Sequence, residues 1–160
     1  MKKRNLLQKA ILLIAVMGLL SFSCKKDTLT TVAFSGTYTT TNELIDPPPM
    51  LKQKITGVGV SNELNITKFI AISTQNTGTP PPFKLSGKCT WYAENGDAFY
   101  SDFAGTATPG TDGIITVAMT HTITGGTGKF SHASGTIEGK TIFDPKKPTG
   151  SIESKGTISF

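Results

Sequence analysis

From Val32 to Phe160 no stretch of the chain keeps apolar residues at helical spacing, and this constrains the fold more than any other feature. Thr, Ile, Val, Phe and Tyr fill the runs, while Gly, Pro and Asn-Gly punctuate them. A core built from such a chain is a core of strands. Eight are expected, over residues 32–40, 51–60, 64–74, 83–93, 97–107, 113–124, 129–143 and 150–159. The breakers fall between them: Pro47-Pro48-Pro49, Pro80-Pro81-Pro82, and Pro145 with Pro148. Proline has no N–H to give to a ladder, so each triplet is loop. Asn95-Gly96, set between Trp91-Tyr92 and Phe99-Tyr100, is the strongest short hairpin signal in the chain. Glycine-rich turns at 109–113 and 125–128 join the fifth strand to the sixth and the sixth to the seventh.

Alternation then assigns faces. Phe83, Leu85, Cys89 and Trp91 share one side of the fourth strand, and Ile115, Val117, Met119 and Ile123 one side of the sixth. One apolar and one Thr/Ser/Lys face per strand means a sheet with a single core side. Eight such strands joined by short turns favour closure into an antiparallel, calycin-like barrel, because closure removes aggregation-prone edges. A β-sandwich is the alternative. A barrel of this size is just wide enough to be filled by side chains or to hold one small ligand. With 17% charged residues and many Gly, Pro and Thr, a long coiled coil is excluded. Two cysteines are too few to staple 160 residues.

The first 23 residues are of another kind. Lys2, Lys3, Arg4 and Lys9 precede an apolar run over residues 10–20, and Ser21-Phe22-Ser23 leads into Cys24. A positive flank, a short apolar run and a small-residue exit mark a secretory signal. The run is about half the roughly twenty residues that a spanning helix requires. The cysteine adds to this: the segment resembles a bacterial lipoprotein signal, cut between Ser23 and Cys24, with Cys24 receiving a diacylglyceryl group. Ser21 departs from the leucine usual at its position, and an ordinary secretory signal with an incidental Cys24 is the alternative. Acyl chains hold a protein to a membrane at about 0.8 kcal/mol per buried methylene. The resemblance therefore implies a lipid-anchored protein of the bacterial cell envelope, on the outer membrane, with residues 24–31 as tether and 32–160 as the folded domain.

This division also disposes of the net charge. The whole chain carries 16 basic and 11 acidic residues, a formal +5. Removing the leader's four basic residues leaves 12 against 11, a net of +1. No window of the remainder clusters Lys and Arg with interleaved aromatics, so nucleic acid is not an expected partner.

The stretch from Thr122 to Ile137, with its Ile-Thr-Gly-Gly-Thr-Gly-x-Phe-x-x-Ala-x-Gly pattern, is similar to the glycine hairpin of the allene oxide cyclase-like barrels, relatives of the dirigent proteins. The rhythm of 91–97 and 103–108 and the closing strand 156–160 extend the likeness over roughly residues 55 to 160. The resemblance implies an eight-stranded antiparallel barrel, trimeric in plant members, and cyclase chemistry in the barrel mouth for some. No catalytic residue of that family aligns position by position here, so none is carried over. The glycines have a simpler reading as turn formers.

Four side chains are candidates for the cavity. A hairpin closing symmetrically about Gly126-Thr127 sets His121 opposite His132, with Cβ atoms about 5 Å apart. That places a titrating pair, or half a metal site, at the barrel mouth; two ligands are too few for zinc. Cys89 sits mid-strand on the Trp91 face and reads as a small buried apolar residue with no base nearby. Asp102 shares a face with Tyr100 and Ala104 and is the only nearby carboxylate with a route to the cavity, since Asp97 and Glu94 flank a turn. No G-x-S-x-G, HExxH, P-loop or C-x-x-C motif occurs, and no cofactor is implied. The expectation is an envelope protein that binds a small apolar or amphipathic molecule in its barrel. A cyclase or isomerase acting in the cavity and a purely structural component are the alternatives.

Overall fold

Strands that each hide one face must find a common interior, and here they do so by closing on themselves. In the computed structural model, which describes residues 29–147 and 149–160, the strands form a closed barrel in sequence order with β1 against β8. They are β1 (Thr31–Asp46), β2 (Met50–Ser61), β3 (Ile66–Asn76), β4 (Phe83–Ala93), β5 (Ala98–Pro109), β6 (Ile115–Gly126), β7 (Ser134–Phe143) and β8 (Thr149–Ser159). Every neighbouring pair is antiparallel. The all-β barrel is therefore the architecture, and the sandwich is excluded. Ser23, Cys24 and residues 25–28 of the tether lie outside the described residues.

The faces follow the alternation. Leu85, Cys89 and Trp91 are buried on β4, as are Phe99, Ser101, Phe103 and Ala107 on β5. Between them Lys84, Ser86 and Lys88 are exposed. On β4 the outward side is thus the charged one.

Two strands depart from their expected limits by more than two residues. β1 runs on to Asp46 because Asn42–Asp46 pair with β2 alone, past the last β8 partner at Thr41. The β1–β2 hairpin thus stands above the rim as a ribbon, with Lys54 Nζ on Glu43 Oε2 at 3.1 Å across it. Both groups are well exposed, so the pair adds little stability. β7 starts late, at Ser134, because Gly128–Phe130 form a turn of 3₁₀ helix. The cause is Phe130, whose side chain is fully buried and packs on Phe99 and Phe160 at 5.4 and 5.2 Å. An aromatic ring at the strand end gains more by folding under the barrel than by extending the ladder.

The two ends consequently differ. At one, Phe34, Trp91, Phe99, Phe130, Ile66 and Ile158 make a packed plug, all at most 2% exposed. Thr31 pairs with Ser159 there, so the barrel's first and last strands begin and end at the plugged end. The other end carries the three proline-containing loops and the β1–β2 ribbon, and it stays open.

Candidate functional site

The interior is densely packed at the plugged end and keeps a small hollow nearer the open one. Trp91 is the boundary. Its ring touches Phe34, Tyr38, Phe69 and Phe99 at centroid distances of 5.7, 5.8, 5.0 and 5.7 Å. Above it lies a cavity of about 130 Å³. Its floor and walls are apolar, with Phe69, Trp91, Phe103, Val117, Met119 and Ile152 among them. Amides and hydroxyls of Asn42, Gln53, Gln75 and Thr141 come from the strand ends nearest the open mouth. No carboxylate, ammonium or guanidinium is among the lining groups of this cavity.

Two of the lining rings are held by glycines. Phe69 on β3 pairs directly with Gly57 on β2, and Phe103 on β5 with Gly87 on β4. A Cβ on Gly57 would stand 2.0 Å from Phe69 Cε1. One on Gly87 would meet the Ile72 carbonyl oxygen at 2.0 Å and Phe103 Cζ at 2.6 Å. Each ring lies flat over the strand beside it because no side chain competes for that space. Gly87→Ala is expected to destabilise the barrel by about 1–3 kcal/mol, since the clash includes backbone that cannot swing aside. Urea denaturation measures it, and a loss below about 0.5 kcal/mol would show that the close approach is not constraining.

The polar feature of the floor is a relay. Trp91 Nε1 donates to Ser101 Oγ at 3.0 Å, and Ser101 Oγ lies 3.1 Å from His121 Nδ1. All three residues are at most 2% exposed. A hydroxyl that accepts the indole proton still has its own proton to place, and Nδ1 is its partner. With Nδ1 as the acceptor, the imidazole proton is assigned to Nε2; with Nδ1 as the donor, Ser101 Oγ accepts from both rings. Burial pushes the His121 pKa down from 6.5 to about 4, so the ring is neutral. Among the described residues two buried side-chain polar atoms lack any partner, His121 Nε2 and Ser154 Oγ. Of the two residues, only His121 lines the cavity.

The other candidates fall elsewhere. His121 pairs with Ile137, not with His132, because the 3₁₀ turn takes up the residues that a symmetric hairpin would place in the ladder. His132 lies in that turn, exposed. The histidine pair and the half metal site are thereby withdrawn. Asp102 points outward with Tyr100 and takes an ion pair from Lys88 Nζ at 2.9 Å on the barrel surface. The inner side of β5 carries Phe99, Ser101 and Phe103 instead. Cys89 is buried and unpaired on the Trp91 face, and burial holds its thiol well above its usual range. It is not among the cavity-lining residues. Asp97 serves the turns: its Oδ2 accepts from Lys129 N at 3.3 Å and from Asn95 Nδ2 at 2.9 Å, tying two loops of the plugged end together. Among the described residues no three His, Cys, Asp or Glu side chains converge as a metal site would require.

No protein-family model, no curated protein and no solved structure matches the chain. Ser101 and Trp91 were missed as functional groups in the sequence, although a signal existed for both. Trp91 on the inner side of β4 places Phe99 inside across the Asn95-Gly96 hairpin, and hence Ser101 two residues on.

Proposed function

We propose that the chain is an exported, lipid-anchored envelope protein that binds a small apolar molecule inside its barrel. The observation that carries this is the hollow above Trp91. Eight-stranded barrels are filled by side chains or hold one small ligand, and this one keeps an interior hollow of about 130 Å³ lined mainly by apolar side chains. With the histidine pair dissolved and Asp102 outside, no acid–base couple faces the cavity, which favours binding over turnover.

The described chain enters the barrel at Thr31, which pairs with Ser159 at the plugged end, opposite the mouth.

Native mass spectrometry of the purified lipid-modified protein is expected to show a co-purifying small molecule. Toluene is expected to raise its melting temperature. Repeated preparations that carry no such molecule, together with no toluene shift, would reject the binding reading. For the anchor, Cys24→Ala is expected to release the exported protein into the soluble fraction. Retention of that variant with the membranes would reject lipid attachment.

A further inference from the structure

The hollow is lined unevenly towards its mouth, and this narrows the ligand, provided that the barrel binds one as proposed above. We infer that the ligand is an uncharged amphiphile, a ring-sized apolar body bearing one hydroxyl or carboxamide, whose polar end sits against an arc of carboxamides on β1–β3.

Strand alternation builds the arc. Asn42 shares its side of β1 with the buried Phe34, Tyr38 and Thr40, and Gln75 shares its side of β3 with Phe69, Ala71 and Ser73. Gln53 lies between them on the Ile55 side of β2. Register sets the three next to one another. Asn42 pairs with Ile55 and Leu44 with Gln53, so Asn42 and Gln53 are diagonal neighbours. Gln53 faces Ser73 directly and Gln75 diagonally. Diagonal neighbours stand about 7–8 Å apart, close enough for two long side chains to reach one polar group. All three residues line the hollow. Elsewhere the carboxamides of Asn62, Asn76 and Asn95 are each bonded to a protein group. Those of Asn42, Gln53 and Gln75 have no protein partner among the described residues, and none of the three residues is fully buried. Across the axis the wall is mainly apolar: Leu85, Phe103, Ile115, Val117 and Phe143 come from β4–β7, with the Thr141 hydroxyl beside them. A molecule in this space therefore meets apolar atoms on one side and groups that both donate and accept on the other. No lining group is ionic, so a charged ligand would be stripped of water without a counter-charge. The size suits one ring, since about 130 Å³ is close to the roughly 150 Å³ cavity that takes benzene in a protein core.

Toluene, benzyl alcohol and benzoate test this, because they share a ring and differ in the group it carries. Their dissociation constants are read from the fluorescence of Trp91, the chain's only tryptophan and a lining residue. The purified protein is compared with a variant carrying Gln53→Met and Gln75→Met, which keeps side-chain length and removes both amides. The affinity ratio of benzyl alcohol to toluene is expected to fall about five- to tenfold in the variant, as the loss of one neutral hydrogen bond predicts. Benzoate at neutral pH is expected to bind the wild-type protein at least about tenfold more weakly than benzyl alcohol. In wild-type NMR spectra the side-chain NH₂ signals of Gln53 and Gln75 are expected to move further with benzyl alcohol than with toluene. A ratio that changes less than about twofold, NH₂ signals that respond equally to both, or benzoate binding as tightly as the alcohol overturns the uncharged head at the arc. If toluene still binds in those cases, the cavity remains a binding site. If neither toluene nor benzyl alcohol binds, the binding reading itself fails, and this one with it. Should the double variant not fold, the wild-type spectra and the benzoate comparison decide.

Discussion

Trp91→Ala is expected to destabilise the barrel by about 4 kcal/mol, the largest loss of any single substitution discussed for this chain. Its side chain is fully buried between the packed end of the barrel and the hollow that it lines. Large-to-small changes at aromatic core positions cost about 3–5 kcal/mol, partly for lost transfer and partly for the void left behind. Trp91 belongs at the upper part of that range because five rings lose a partner at once. Phe99 stacks on it at an interplanar angle of 12°, while Phe34, Tyr38, Phe69 and His121 meet it edge-on or tilted. Each such pair is worth roughly 0.5–1.5 kcal/mol beyond the area it buries. Ser101 also loses the indole donor. Domains of this size are stable by about 5–15 kcal/mol, so the change removes a large share of what there is. Trp91→Phe keeps a ring in place and is expected to lose about half as much. Urea denaturation of both variants measures the difference; a loss below about 1 kcal/mol for Trp91→Ala would mean that the plug is held by its strands and not by this ring.

How much of this was legible in the sequence depends on which interactions set each feature. The closed barrel was legible because alternation and breakers are local: Leu85, Cys89 and Trp91 declare the inner side of β4 without reference to any other strand. The Asn95-Gly96 turn then transmits that choice to β5, pairing Trp91 with Phe99 and Cys89 with Ser101. Followed one step further, the same rule sends Asp102 outward, where Lys88 meets it across the ladder. His121 was legible as an inward residue from Met119 and Ile123 on either side. Its partner was not. The register of β6 against β7 is decided by Phe130, which leaves the ladder to pack on Phe99 and Phe160 from other parts of the chain. Nothing in the glycine hairpin itself announces that. The depth of the cavity was hidden for a similar reason, since it depends on how rings from five strands share the axis. Gly57 and Gly87 are intelligible only once Phe69 and Phe103 are seen lying over them.

The stability of the barrel is expected to fall by about 3 kcal/mol as the pH drops from 6.5 to 4, through His121 alone. Its imidazole titrates near 6.5 in an unfolded chain and near 4 in the fold, where burial penalises the cation. Between those values the unfolded chain holds a proton that the folded one refuses. Folding is thus opposed increasingly as the pH falls through that window, at about 1.4 kcal/mol for each pH unit. Above 6.5 both states are neutral and the contribution is complete; below about 4 both are protonated and the loss grows no further. The environment offers the cation no compensation. The ring is packed on Phe103 and Trp91, its Nδ1 is occupied by Ser101, and the cavity it lines carries no carboxylate. Exposed groups such as His132 and the surface carboxylates are common to the protein and to His121→Phe, so their contributions cancel when the two are subtracted. Urea midpoints measured from pH 8 to pH 4 are expected to diverge below 6.5, the variant retaining stability that the natural chain loses. Parallel curves would mean that the imidazole reaches water or an anion in the fold, and a ring kept neutral by burial would have to be abandoned.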